Sequence, residues 1–140
     1  MPIDNTNILA ELRALMLLDD PITDLVDMRI RVDGFAADDG QQPAIMLEMT
    51  NADETPFLGE EAAAVQADIL VTCRSTNETQ RTSLAKAVRD QLQGYRGPAG
   101  NGWIVQCYRS DFAAGKLYDE DGDETDLYEH RDLYKVLFTI

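Results

Sequence analysis

The apolar positions change period along the chain, and those changes divide it into elements. In residues 5–18, Ile8, Leu12, Leu15 and Met16 fall on one face of a 3.6-residue helix. Asn5 or Thr6 offers an N-cap oxygen, Glu11 lies early enough to favour the helix dipole, and Asp19, Asp20 and Pro21 end the run. Pro21 opens a short further turn, Ile22–Val26, and Met28–Val32 alternates as a short strand. Asp33–Pro43 holds Gly34 and Gly40 and has no period, so it reads as a loop. Ala44–Met49 is mostly apolar and reads as a buried strand. Asn51–Glu61 reads as a second loop, whose polarity is interrupted by Phe57 and Leu58.

The clearest strand is Ala62–Arg74. Ala63, Val65, Ala67, Ile69, Val71 and Cys73 alternate with the polar Gln66, Asp68 and Thr72, which puts one face on a core and leaves the other wet or against a neighbour. Ser75 with Glu78 has the spacing of a capping box, and the helix it opens runs to about Leu92 with Leu84, Ala85, Val88 and Leu92 inward. Gly94, Gly97, Pro98 and Gly100 form the link that follows. Trp103–Arg109 alternates, with Trp103, Val105 and Cys107 opposite Ile104, Gln106 and Tyr108. Ser110–Asp126 reads as a loop or wide hairpin tip. Leu127–Ile140 closes the chain as a strand with Tyr134, Val136, Phe138 and Ile140 on one face. This order predicts one α+β domain over residues 1–140: a mainly antiparallel sheet packed by the N-terminal helix and one long central helix.

Composition fits a globular domain: 140 residues, 44% hydrophobic and 27% charged. Charge narrows the function. With 26 acidic and 12 basic residues the net charge is −14, so the surface repels nucleic-acid phosphate and anionic membranes. No apolar run approaches the roughly 20 residues that span a bilayer, and the first residues lack the pattern of a secretory signal, so synthesis in the cytoplasm is expected. Nine of the bases are Arg, and only Lys86, Lys116 and Lys135 are Lys. An acid-rich, Lys-poor surface fits a halophilic host; the plainer reading is a GC-rich genome, which favours Arg codons, and an ordinary acidic protein.

Candidate chemistry is sparse. Asp119–Asp126 resembles a calcium loop, but Gly122 stands fourth from Asp119 and His130 twelfth, where an EF-hand needs Gly sixth and Glu twelfth. Asp119, Asp121 and Asp123 remain a weak cation candidate, set against a solvated acidic hairpin tip. His130 could be combined with Ser75, Ser83 or Ser110, or with Cys73 or Cys107, but none lies in a nucleophile-elbow context, and both cysteines fall on apolar strand faces. The acidic pairs Asp19/Asp20, Asp38/Asp39 and Glu60/Glu61 lie in polar segments and read as solvated charge. No phosphate-binding glycine motif is present. The expectation is a protein with no catalytic residue, no metal and no cofactor.

Several segments together resemble one family, the tail-terminator or tail-completion proteins of long-tailed phages and prophages. They are ILAELRALMLLDDPITDLVDMRI with its Asp20-Pro21, Leu25-Val26 and Arg29-Ile30; QPAIMLE from Gln42 to Glu48; the strand, polar break and helix from Ala67 to Leu92, ending in A-x-A-V-R-x-x-L; and the closing strand from Tyr128 to Ile140. The resemblance implies a tail-terminator-like fold and no enzymatic activity. It implies a virion protein of the tail or neck that forms a homo-oligomeric ring, a hexamer, on the tail tube protein. The ring ends tube polymerisation and joins the tail to head connector or adaptor proteins, and DNA passes through the lumen without specific binding. Six copies would carry about −84 before counterions, which suits a lumen without sticking points for DNA. A cyclic ring needs two different matching patches. The expected contacts with a neighbouring subunit or the tube are Asp53, Glu54, Phe57, Leu58, Gln66 and Asp68, on the wet face of the best strand and the loop before it; the partner patch stays unassigned. The alternatives are a head-completion adaptor or stopper at the connector, and an acidic cation-responsive binding module.

Overall fold

A computed structural model describes residues 5–37, 39, 41–55, 64–118 and 121–139; for 5–7, 53–55 and 64 it describes the backbone alone. Among the described residues the fold is mixed α+β, with three helices and one six-stranded sheet. The helices are α1 (Asn5–Met16), α2 (Asp20–Val26) and α3 (Glu78–Leu92). The strands are β1 (Ile30–Val32), β2 (Ala44–Thr55), β3 (Ala64–Ser75), β4 (Gly97–Ala99), β5 (Gly102–Tyr118) and β6 (Glu124–Thr139), in the order β1-β2-β3-β6-β5-β4. All neighbours pair antiparallel except β1 with β2, which is parallel.

The N-terminal pattern splits into two helices. α1 buries Ile8, Leu9, Leu12, Leu15 and Met16 and stops at Met16, two residues earlier than its apolar run. Asp19 takes an extended conformation (φ −95°, ψ 110°) and its carboxylate accepts from Ile22 N, capping α2. A residue in that conformation cannot continue α1, and Pro21 fits the first turn of α2. The expected turn Ile22–Val26 is therefore a full helix. Glu11 does not serve the α1 dipole; its carboxylate accepts from the backbone N of Asn101, tying α1 to the β4–β5 turn.

β3 buries Val65, Ala67, Ile69, Val71 and Cys73, and β6 buries Tyr134, Val136 and Phe138, as their alternation predicts. These side chains form one core with Leu84, Ala85, Val88 and Leu92 of α3 and the apolar faces of α1 and α2. The α3 start differs from expectation. Ser75 is still paired with Tyr128 at the end of β3, so it cannot be the cap. Asn77 is the N-cap, accepting from Gln80 N at 3.0 Å, and the Ser75 hydroxyl accepts from Asn77 N at 3.1 Å.

Bulges explain the other differences. β2 continues through Asn51–Thr55, expected to be loop, past a register shift between Met49 and Asn51. The shift breaks the apolar alternation, which hides the continuation from a periodic reading. β5 has shifts between Ile104 and Gln106, Arg109 and Asp111, and Lys116 and Tyr118. The first brings Ile104 and Cys107 both inward and leaves Trp103 47% exposed, so the expected faces of this strand are wrong. Ser110–Tyr118 and Glu124–Asp126 are strand, not loop, and Gly97–Ala99 is a short edge strand, not a linker. Glycine is required at Gly102, where a Cβ would overlap the Phe138 ring and come within 2.8 Å of Thr139 O.

Residues 33–43, so far as they are described, fold back on β1 and β3. Arg31 Nε lies 3.0 Å from Asp39 Oδ2, Ala36 N donates to the same oxygen at 2.8 Å, and the Arg74 guanidinium sits 4.0 Å over the Phe35 ring. Burial alone would raise the Asp39 carboxyl; the Arg31 bonds and the Ala36 N–H outweigh it and hold it below the ordinary aspartate range.

Two outcomes are expected. Gly102→Ala should lower stability by about 1–3 kcal/mol through overpacking, read as a lower urea midpoint with unchanged slope. Because the folded-state Asp39 carboxyl is depressed, its contribution is present above the unfolded value near 3.8 and fades as pH falls below it. Asp39→Asn should therefore cost stability at pH 7 and little below pH ~3 in paired denaturation curves.

Candidate functional site

Of the expected contact residues, Asp53, Glu54, Gln66 and Asp68 are described, and they lie toward one end of the paired β2 and β3. Gln66 is exposed on β3. Asp68 is half-buried there and holds Lys135 Nζ of β6 at 3.3 Å. Asp53 lies opposite Gln66 in the β2–β3 register, and Glu54 opposite Val65. Phe57 and Leu58 lie outside the described residues. Asp68 and Gln66 share the face of β3 opposite the helix-packed core, and on that face Leu70, Leu133 and Leu137 remain only half-buried. A shallow groove of about 310 Å³ crosses it, lined by Thr50, Leu70, Asp111, Ala113, Arg131 and Leu133.

Asp121 and Asp123 are exposed at the tip between β5 and β6, and Asp119 is outside the described residues. Among the described residues no three His, Cys, Asp or Glu side chains come together as a metal-binding group. No described helix is long and apolar enough to cross a membrane.

The strand register brings Cys73, His130 and Asp132 side by side, a juxtaposition hidden in the sequence. Cys73 pairs with His130, and His130 Nε2 lies 2.9 Å from Asp132 Oδ1. The environment works against a thiolate. Burial, then the Asp132 carboxylate, push the Cys73 thiol far above its usual range, and burial pushes Cys107 up to about 12. Arg109 Nη1 is 3.5 Å from Asp132 Oδ1, its guanidinium lies 4.7 Å over the Phe112 ring, and Phe112 stacks on His130 at 6.2 Å. Asp132 is 1% exposed, so this set is a structural ion pair that fastens β5 to β6. Ser75 is buried, Ser83 is exposed on α3, and the Ser110 hydroxyl donates to Leu133 O. The described serines do not join His130.

β5 is where the periodic reading missed most. Among the described residues, large apolar side chains are exposed at Leu18, Met28, Trp103, Tyr108, Phe112 and Tyr118; the last four are aromatic and all belong to β5. Aromatic side chains with Arg are the composition of interface cores. A second signal was legible but unread. Residues 32–73, which include β2 and most of β3, hold nine acids and no Lys or Arg.

No family model matches the chain, and no curated protein does. A chain of a solved structure described as the virion of a native gene transfer agent particle has the same fold. The two align over 95% of each chain at a TM-score of 0.68 with 14% identity. A second solved structure, from Akkermansia muciniphila and described as without its transmembrane region, aligns over 66% of this chain and 44% of its own at a TM-score of 0.32 and 2% identity, and carries no argument.

The buried cluster makes two predictions. Iodoacetamide at pH 8 should label neither Cys73 nor Cys107 until the protein is denatured; rapid native labelling of either would contradict the burial. The Tyr134 hydroxyl is buried and makes no hydrogen bond with a described residue. Tyr134→Phe should therefore leave the thermal midpoint unchanged or raise it by up to about 1 kcal/mol of stability, while Asp132→Ala, which strips Arg109 and His130 of their carboxylate, should cost about 2–3 kcal/mol.

Proposed function

We propose that this protein is a non-enzymatic structural component of a phage-like virion, located at the tail or neck. It forms a ring at the head-proximal end of the tail tube, ends tube polymerisation and joins the tail to the head connector. The observation that carries this reading is the full-length likeness in fold to a chain of a gene transfer agent virion, over 95% of both chains. The exposed sheet face and the exposed aromatics of β5 support it, because a ring subunit must present contact surfaces that its own core does not use. The resemblance of the DP turn, the β3–α3 unit and the closing strand to tail-terminator proteins supplies the finer assignment.

In this reading Asp53, Glu54, Phe57, Leu58, Gln66 and Asp68 contact a neighbouring subunit or the tube. The net charge of −14 per copy gives the ring a potential that repels the DNA backbone, so genome passes without binding. No cofactor or metal takes part.

Tube-capping assays test the proposal. Purified protein added to growing tail tubes should stop elongation at a stoichiometry of one ring per tube, and negative-stain images should show six-fold rings at one tube end. If tubes grow unchanged and the protein instead co-purifies with isolated head connectors, it is an adaptor or stopper. Binding to neither would remove the virion reading.

A further inference from the structure

The ring reading leaves one of its two patches unassigned, and β5 supplies it. β4 pairs with β5 only at Gly102–Ile104. The end of α3 covers the next stretch, with Gly94 N donating to Cys107 O and Gln93 Oε1 accepting from Arg109 N. From Ser110 onward β5 is the outermost described strand, paired with β6 alone. Between its last two bulges, Asp111–Lys116 is a regular six-residue run against Leu133–Tyr128. The Asp111 carboxylate takes the Phe112 N–H at 2.8 Å; past that point, an exposed edge of this kind is a template for another strand.

Three features of this run point to a strand docking there. Phe112, near its start, is 59% exposed, and Tyr118, two residues beyond it across the last bulge, is 58% exposed. Its middle is Ala113-Ala114-Gly115, all exposed and small enough to admit a second backbone. Gly115 is unexplained by the subunit itself: its φ is not in the left-handed region, and a Cβ there would meet no atom within 4 Å. Glycine inside a strand lowers β stability, and a close approach by another backbone is a standing reason to keep it.

Charge and topology select the occupant. β5 carries Arg109 and Lys116, paired within the subunit with Asp132 at 3.5 Å and Glu124 at 3.1 Å, and one acid of its own, Asp111; it therefore repels an acidic strand less than β2 does, which carries Glu48, Asp53 and Glu54 with no base. The strand order puts β2 near one edge of the sheet and β5 near the other. A ring contact joins two different patches on opposite sides of each subunit, which this arrangement provides. We infer that the Asp111–Lys116 edge of β5 docks the acidic β2–β3 side of a second copy of this chain, and that this strand-edge contact closes the ring. The inference rests on the ring reading above.

Substitution and mixing test it, by light scattering and negative stain on the full chain at high protein concentration, with tail tubes present and absent. Gly115→Val adds a β-favouring side chain into open space, so the subunit's thermal midpoint should hold or rise. Ring content should nevertheless fall at least tenfold. Glu48→Lys combined with Asp53→Lys should lose rings equally. Mixed, the two variants have one intact patch each and should form heterodimers and nothing larger. Rings of Gly115→Val at the wild-type level, or a mixture that stays monomeric, would overturn the β5 assignment while leaving the ring reading standing. A wild-type protein that forms no ring under either condition would overturn both.

Discussion

The unbroken pairing of β3 with β6 is the constraint on which the other elements depend. Twelve consecutive residue pairs, from Ala64–Thr139 to Ser75–Tyr128, run without a register shift. Side-chain period in a strand is two, so an unshifted ladder keeps every inward position inward on both strands. Val65, Ala67, Ile69 and Val71 then stand beside Phe138, Val136, Tyr134 and Asp132, and α3 packs over them. The bulges fall in the flanking strands, β2 and β5. Regular pairing in the middle and irregular pairing outside separate the part that folds the subunit from the parts free to make contacts.

That separation also decides what the sequence discloses. The inward faces of β3, α3 and β6 are periodic and were legible residue by residue. The break between α1 and α2 was legible in Asp19, Asp20 and Pro21, but the end of α1 at Met16 was not, because Leu17 and Leu18 continue the apolar run while Asp19 caps α2. The ends of β2 and β5 were illegible for a different reason. Their sequences, Asn51–Thr55 and Ser110–Tyr118, are polar or small and break alternation at a bulge, so they carry the composition of loops. What holds them in strands is the ladder offered by β3 and β6, which is a tertiary fact. Among the candidate contacts, the placement of Gln66 and Asp68 on the face away from the core followed from alternation; the aromatics of β5 did not.

β6 runs four residues beyond Tyr128, its last partner on β3, so the β5–β6 ribbon needs an anchor where that support ends. Arg81 provides it. This side chain is buried on α3, its Nη1 donates to Gly115 O at 3.3 Å and Glu129 O at 3.5 Å, and its guanidinium lies 5.6 Å over the Tyr128 ring. Arg74 and Arg131 clamp the Glu129 carboxylate from β3 and β6, at 2.6 Å and 3.1 Å. A planar guanidinium with several donors suits such bridging, where an ammonium would not. The ribbon is thus fastened to α3 and β3 by groups of the subunit itself.

Acidity and self-association are compatible on this arrangement. A net charge of −14 repels other copies at long range, but at physiological salt that repulsion decays within about 8 Å. Encounter between random surfaces is therefore unfavourable, and only a contact that offers short-range compensation survives. Strand pairing supplies backbone hydrogen bonds that do not depend on side-chain charge, and exposed aromatics supply apolar burial. Charge placement sharpens the choice: with no Lys or Arg in residues 32–73, the β2–β3 side meets less repulsion at a surface such as β5, where Arg109 and Lys116 offset Asp132 and Glu124, than at another copy of itself. In the proposed ring, a strongly acidic subunit would suppress nonspecific aggregation while retaining one orientation in which copies fit, and a template that fixes several copies close together would tip the balance toward closure.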